Sequence, residues 1–284
     1  MTDAPNAEQV TYWNETSGPK WVARVEQLDA QLAALGELVF DRLDPQPGER
    51  LLDIGCGCGQ TALQLAERVG PSGRVLGVDV SAPMLDRAIE RARAAGVRQV
   101  DFVEADAQTH TFEPDFDAIS SRFGVMFFAD PVAAFANLRQ ALKPGGRLAF
   151  VCWREIGMNP WMRIPLMALA GHVPLPEPPA QGAPGPFSFA DAERVRGILE
   201  GAGFHDVEIG PVEIGLQVGG GGGVEAAVDF LLSIGPAAAL LREADASTRQ
   251  AAAEAVGEAI RPFLEGRDVV MDGAVWVVTA RRSA

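Results

Sequence analysis

One stretch constrains this chain more than any other: Leu51-Leu52-Asp53-Ile54-Gly55-Cys56-Gly57-Cys58-Gly59-Gln60-Thr61. Leu51, Leu52 and Ile54 read as the apolar run of a parallel strand buried on both faces. Gly55, Gly57 and Gly59 then alternate with small residues. The backbone can turn sharply there, and a ligand can approach without meeting a Cβ. A helix from Thr61 to Val69 follows. Its first amides point back at the turn, which prepares the place for a polar or anionic ligand.

The glycine spacing separates two ligand classes. A dinucleotide fingerprint after a strand is G-x-G-x-x-G. Here the third glycine arrives one residue early, Gln60 stands where the fingerprint would end, and Asp53 precedes the first glycine by two. This variant resembles the first motif of the class I S-adenosylmethionine (SAM)-dependent methyltransferases. Alone, it also fits an ordinary strand-to-helix turn, so the rest of the chain has to decide.

Formal net charge is −14. An acidic surface repels phosphate backbones and anionic lipid heads, which disfavours nucleic acid and membrane surfaces as partners. Arg87, Arg91 and Arg93 read as a solvated helix face. With 284 residues, 48% of them hydrophobic, the chain can hold one large domain or one with a sizeable insertion. Cys56, Cys58 and Cys152 show no paired framework, which fits a reduced, cytoplasmic setting. Cys56-x-Cys58 lacks a second Cys/His pair, so no metal is expected. There is no apolar leader, and no apolar run reaches the ~18 residues of a membrane span.

Taken in order, residues 1–9 are polar. Tyr12, Trp13 and Trp21 then belong to a helical arm, with helical periodicity from Trp21 to Leu43 and a stop at Asp44-Pro45. Trp13 and Trp21 either pack the arm onto the domain or close it over a ligand. Val75 to Asp79 reads as a second buried strand ending in a carboxylate, and Ser81 as the cap of a helix from Pro83 to Ala95. Strands follow at Val100–Glu104, Phe116–Ser121 and Leu148–Trp153, the last after a tight turn at Lys143-Pro144-Gly145-Gly146. Five strands alternating with helices predict a doubly wound parallel sheet, with its ligand crevice at the strands' C-terminal ends.

Four segments now fall in register with the class I SAM-dependent methyltransferases: Leu52 to Gly57, Gly77-Val78-Asp79, Glu104-Ala105-Asp106-Ala107, and Leu142 to Gly146. The branch resembles the small-molecule enzymes akin to the ubiquinone/menaquinone-biosynthesis C-methyltransferases. The resemblance covers residues from about 11 to 155. It implies an α/β, Rossmann-like, mostly parallel seven-stranded sheet with an antiparallel last strand, and SAM as cofactor with S-adenosylhomocysteine (SAH) as product. It also implies roles. Gly55, Gly57 and Gly59 shape the pocket around the methionine part and ribose, and Asp53 supports the loop and meets the amino group through water. Asp79, with Val80 beside it, takes the ribose hydroxyls. Met84 packs on adenine, Asp106 accepts from its amino group, and the Ala107 amide faces its ring. Ser121 and Phe123 line the methionine side, and Trp13 and Trp21 of the arm join the cofactor site. Arg122 departs from the acid or asparagine of methyltransferases that act on amides, which argues against a nucleic-acid amine.

Residues 1–48 are thus expected to be a helical arm, 49–155 the SAM-binding core, and 156–190 a lid insertion rich in proline. Residues 191–218 continue the core, 219–265 form a second helical insertion, and 266–284 supply the last core strand. Gly219 to Gly223 reads as a hinge or a boundary, and Asp272-Gly273 as a turn splitting an apolar stretch. Trp153, Trp161 and Phe187 either line an apolar acceptor site or belong to the core. Arg154 and Arg163 are candidates for an acidic substrate, and His172 is the one weak candidate for a general base. The expected activity is methyl transfer to O, C or N of a small molecule such as a quinol, phenol or secondary metabolite. Rival readings are an NAD-dependent oxidoreductase, against which the single tyrosine, Tyr12, speaks, and a non-catalytic SAM-binding module. The sequence leaves monomer and homodimer open.

Overall fold

The chain's architecture comes from a computed structural model that describes residues 5–175, 177, 180 and 182–284. Residues 1–4, and Pro176, Pro178 and Pro179 of the proline-rich stretch, lie outside the described residues. The arm comprises α1 (Ala7–Thr11), a π-helical turn (Tyr12–Ser17), α2 (Gly18–Ala23) and α3 (Val25–Leu43). The apolar stripe buries Leu28, Leu32, Leu35, Val39, Phe40 and Leu43 of α3 against the sheet layer. The expected single helix from Trp21 breaks at Arg24, whose backbone leaves the helical region (φ −118°, ψ 18°) and whose guanidinium pairs with Asp229 at 2.6 Å. Asp44, in the left-handed region at φ 49°, ends α3 ahead of Pro45.

The core then alternates β1 (Arg50–Ile54), α4 (Gln60–Val69), β2 (Arg74–Asp79), α5 (Ala82–Ala95), β3 (Val100–Glu104), β4 (Phe116–Arg122), α6 (Pro131–Ala141) and β5 (Leu142–Trp153). After it come α7 (Pro160–Ala168), α8 (Ala192–Gly201), β6 (His205–Val218), α9 (Gly223–Leu231), α10 (Gly235–Leu240), α11 (Ala246–Ile260), the two-residue β7 (Leu264–Glu265) and β8 (Asp268–Arg281). The sheet order is β3-β2-β1-β4-β5-β8-β6, with β7 beside β8. Strands β1 to β5 pair in parallel, and β8 runs antiparallel to both β5 and β6. This is the expected Rossmann-like sheet with its antiparallel last strand. Leu51 and Leu52 are fully buried, one on each face; burial of each contributes about 1.5–3 kcal/mol. The chain returns to the sheet centre between β1 and β4, so a crevice opens where their ends diverge.

Four local expectations are corrected. β8 is continuous through Asp272-Gly273, because Gly273 pairs with Ile214 and the Leu216 side chain fills the space where a Cβ would stand. Lys143 to Gly146 lies within β5, where the pairing with β4 shifts register. The run after β6 is a packed bend and not a slack hinge: Gly219 is buried at φ 81°, with the Ala227 backbone 2.6 Å from where a Cβ would be. Ser81 stands at the α5 N-cap, but its hydroxyl donates to Trp13 O at 2.9 Å instead of to its own helix. Among the described residues, no helix is long and apolar enough to cross a membrane.

Candidate active site

The end of β1 is braced from beneath. Asp53 is buried and accepts hydrogen bonds from the hydroxyls of Thr61 (2.6 Å) and Ser120 (2.8 Å). Burial dominates those bonds and pushes its carboxyl up to about 6. Just beyond, Gly55 (φ 66°) crosses Gly124 so closely that a Cβ on Gly55 would lie 2.5 Å from Gly124 Cα. Gly57 (φ 55°) leaves room for Met84, whose methyl would stand 2.9 Å from a Cβ there. At the end of β2, Asp79 accepts from the amides of Gly57 (2.8 Å) and Ser81 (2.9 Å). One carboxylate thus ties the glycine turn to the start of α5. Burial raises its pKa, opposed by those amide bonds.

The arm is bolted over this junction. Asn14 donates to Val80 O at 2.7 Å and accepts from the Ala82 amide at 3.0 Å. Trp13 meets Trp21 and Phe127 edge-on, at 5.6 and 5.1 Å between ring centroids. A Cβ at Gly18 would stand 2.1 Å from Trp13 O, so only glycine lets the π-turn fold back this tightly.

Beneath the arm lies a cavity of about 400 Å³. One end is polar. Asp106 accepts from the Gln108 amide at 3.0 Å, and Asn6 of the arm approaches it at 3.5 Å. Asn6 Oδ1 and Gln9 Oε1 are buried there without a hydrogen-bond partner. The other end is apolar. Phe123, held in the left-handed region at φ 69°, stacks on Trp153 at 4.2 Å, and Trp153 leans on Trp161 at 5.3 Å. Met126 and Met162, the loop Pro184–Pro186, and Ile234–Pro236 at the start of α10 complete that wall. The Trp161 indole N–H is also buried without a partner.

The cavity brings together ten of the residues expected from sequence: Trp13, Trp21, Gly55, Gly57, Asp79, Val80, Met84, Asp106, Ala107 and Phe123. Trp153 and Trp161 line it as well. Others are corrected. Asp53 is 1% exposed and does not line the cavity, so its carboxylate, held by two hydroxyls, does not face a ligand amino group there. Gly59 (φ 83°) faces Ala88 and Phe102 instead of the cavity, and a Cβ there would come within 2.8 Å of Ala88. Ser121 is buried with its hydroxyl donating to Ile54 O at 2.8 Å. His172 and Arg163 are exposed and do not line the cavity; neither does Phe187. Arg154 is spent on Glu213 (3.2 Å) and the Trp276 ring (4.7 Å).

Sequence reasoning missed Asn6, Gln9, Asn14, Gln31 and Gly124. Side-chain amides in a helical arm carry no spacing signal, and Gly124 shows its purpose only once β1 and β4 are side by side. Among the described residues that line the cavity there is no histidine or lysine. Cys56 and Cys58 do line it, but burial pushes the Cys56 thiol well up and Cys58 up to about 12, so neither is a base near neutrality. The arrangement offers open acceptors at one end and a flat apolar slot at the other.

A crevice at the switch point of a 3-2-1-4-5 sheet, covered by a helical arm and lined by an acid at the end of β2 and another just past β3, defines a Rossmann-like ligand-binding core. Comparison with known proteins gives the family. A profile described as a methyltransferase domain matches residues 51–146. The aklanonic acid methyltransferase of Streptomyces sp. (strain C5) is 38% identical over 152 residues, 53% of this chain and 67% of that protein. The demethylmenaquinone methyltransferase of Thermus thermophilus is 45% identical over 102 residues, 35% of this chain and 45% of that one. Among solved structures, a phosphoethanolamine N-methyltransferase of Haemonchus contortus in complex with SAH is similar with a TM-score of 0.54 and 21% identity, over 88% of this chain and 53% of that one. The chain spans about two thirds or less of these relatives' lengths. It belongs to the SAM-dependent methyltransferases, whose cofactor is SAM.

Proposed function

We propose that this chain transfers the methyl group of SAM to a small, flat, oxygen-bearing acceptor. The observation that carries the reading is one cavity with unpartnered buried acceptors at its polar end and an unpartnered indole N–H in its aromatic end. Buried polar atoms are normally paired, so unpaired ones clustered in a cavity mark places for ligand atoms. At the polar end, Asp79 accepts from ribose hydroxyls. Asp106, Asn6 Oδ1 and Gln9 Oε1 receive the adenine amino group, the Ala107 amide faces the ring, and Met84 and Val80 pack on it. When bound, SAM supplies a methyl group on a positively charged sulfonium. Phe123, Trp153 and Trp161 orient the acceptor, Trp161 by donating to its oxygen. Trp13 and Trp21 exclude water, which strengthens every polar contact inside.

In this reading residues 49–155, 191–218 and 266–284 supply the platform. The arm over 1–48 and the insertions over 156–190 and 219–265 supply the covers. Carbonyl, carboxylate or phenolate oxygens suit an indole donor, and the methyltransferases of aklanonic acid and demethylmenaquinone fit that acceptor class. The strongly acidic surface supports a free small molecule over nucleic acid or an anionic membrane as substrate, and three free, buried cysteines suit a reducing cytoplasm.

Calorimetry with SAH and NAD, followed by mass-spectrometric detection of methyl transfer to a panel of phenols, hydroxyquinones and aromatic acids, tests the proposal. SAH is expected to bind and NAD not. Binding of NAD in preference to SAH would overturn the cofactor assignment. SAH binding with no methylated product across the panel would leave a binding module.

A further inference from the structure

Two charged side chains that line the cavity are left unused by the reading above, Asp29 and Arg122; Asp29 is paired with Arg91. Arg122, the last residue of β4, is half-buried and lines the cavity close to α3. Among the described residues, its hydrogen bonds run from Nη1 alone, to Leu32 O at 3.3 Å and to Gln60 Oε1. No described carboxylate lies within ion-pairing distance of it. Asp29, the nearest acid in effect, is taken by Arg91 at 2.5 Å, and Asp53 is held below by its two hydroxyls. Burial lowers the Arg122 pKa, but from an ordinary value so far above neutrality that the group stays cationic.

Beside Leu32, on the same helix, Gln31 is 3% exposed and lines the cavity, and neither its amide nitrogen nor its amide oxygen has a partner. The carboxylates of Asp29 and Asp53 act on this half-buried guanidinium without pairing with it directly, so most of its N–H donors stay open, and a buried amide with both ends open is costly. Both are relieved if a ligand brings an anion with two acceptor oxygens. The guanidinium fork matches a carboxylate in particular, offering parallel N–H donors to its two oxygens.

Resting on the methyltransferase reading, we propose that Arg122 and Gln31 form a carboxylate-binding corner of the cavity, with Gln60 orienting the guanidinium. Two ligands could bring that carboxylate: the methionine tail of SAM, or an acceptor that is itself an acid. The chemistry of recognition is the same in both. The amide oxygen of Gln31 is then free for a neighbouring N–H or O–H donor of the same ligand.

Arg122→Gln and Gln31→Leu test this, with each binding constant measured by calorimetry. The probes are SAH, methylthioadenosine (which lacks the amino-acid tail), and, in SAH-saturated protein, 2-naphthoate against neutral 2-naphthamide. If the corner holds the cofactor tail, both variants weaken SAH by roughly tenfold or more and leave methylthioadenosine within about twofold. If it holds the acceptor, SAH is unchanged, and the preference for 2-naphthoate over 2-naphthamide collapses to about one. A merely structural role is separated by thermal melts of the free protein, since Gln31→Leu removes an unpaired buried amide and should hold or raise the melting temperature. The inference is overturned if both variants bind SAH, methylthioadenosine and 2-naphthoate as the wild type does, or if all ligands weaken equally. Failure of the wild type to bind SAH at all would strike the methyltransferase reading instead.

Discussion

Asp53 allows a prediction that can be worked through in numbers. Its carboxyl sits at about 6 in the folded chain against an ordinary 3.8. The cause is burial, only partly offset by the hydroxyls of Thr61 and Ser120 and by the charge of Arg122. A group whose folded pKa is raised contributes stability that is fully present below its unfolded pKa and is lost as pH rises through the folded one. Stability from this residue therefore falls on going from mild acid to neutrality. Integrated between about pH 4.5 and about pH 7.5, the loss is about 2 kcal/mol. Asp53→Asn keeps the shape and an acceptor for a hydroxyl but cannot titrate. Urea unfolding of both proteins at the two pH values gives a difference of differences. Other titrating groups, including the buried Asp79, appear in both proteins and largely cancel. The wild type should lose about 2 kcal/mol more than the variant across this interval. Parallel pH profiles would refute the reasoning, because they would mean that Asp53 is solvated or ion-paired in the folded state.

Three further outcomes follow from the site. Gly124→Ala would set a Cβ 2.6 Å from Ile54 O and 2.7 Å from Gly55 Cα, both backbone. It is expected to destabilise by more than ~3 kcal/mol and to abolish SAH binding, as read by thermal melts and calorimetry. Asn6→Ala combined with Gln9→Ala removes two buried acceptors that have no partner in the free protein. The melting temperature should hardly change, whereas SAH affinity should drop by about 1–3 kcal/mol; unchanged affinity would remove both residues from the adenine end. Trp161→Phe deletes the unpaired N–H but keeps an aromatic ring, so cofactor binding should persist while KM for an oxygen-bearing acceptor rises about fivefold or more.

The parallel half of the sheet and its glycine turn were legible in the sequence, and the aromatic end of the cavity was not. Runs such as Leu51–Ile54 and Val75–Val78 announce strands because burial on both faces demands unbroken apolar residues. Gly55 and Gly57 announce a turn because their positive φ excludes most side chains. Asp79 was legible because it ends β2, and Asp106 because it follows β3 by two residues, which puts both at the rim of the crevice. Asp53 shows the limit of such reasoning. An acid two residues before the glycine turn looks like a ligand contact, yet the strand's alternation points it down toward Thr61 and Ser120. Ser121, one residue along β4, is buried with its hydroxyl donating to Ile54 O. The unbroken course of β8 through Gly273 depends on a partner distant in sequence, Leu216, which no local pattern contains.

The orphaned atoms join these points into one physical statement. Of the eight buried side-chain atoms without a partner among the described residues, five belong to Asn6, Gln9, Gln31 and Trp161, all of which line the cavity. Each such atom costs about 1–3 kcal/mol relative to a paired one. A fold that needed only stability would fill those positions with leucine or phenylalanine. Instead the open valences are gathered in a single cavity: acceptors of Asn6 and Gln9 at the polar end, the Trp161 donor at the aromatic end, and both ends of the Gln31 amide beside Arg122. Their cost is recovered only when a ligand with matching groups enters. In the proposed reading the same residues that weaken the free protein select its ligand, and the arm that carries Asn6 and Gln9 is held in place by Asn14 on the backbone of Val80 and Ala82.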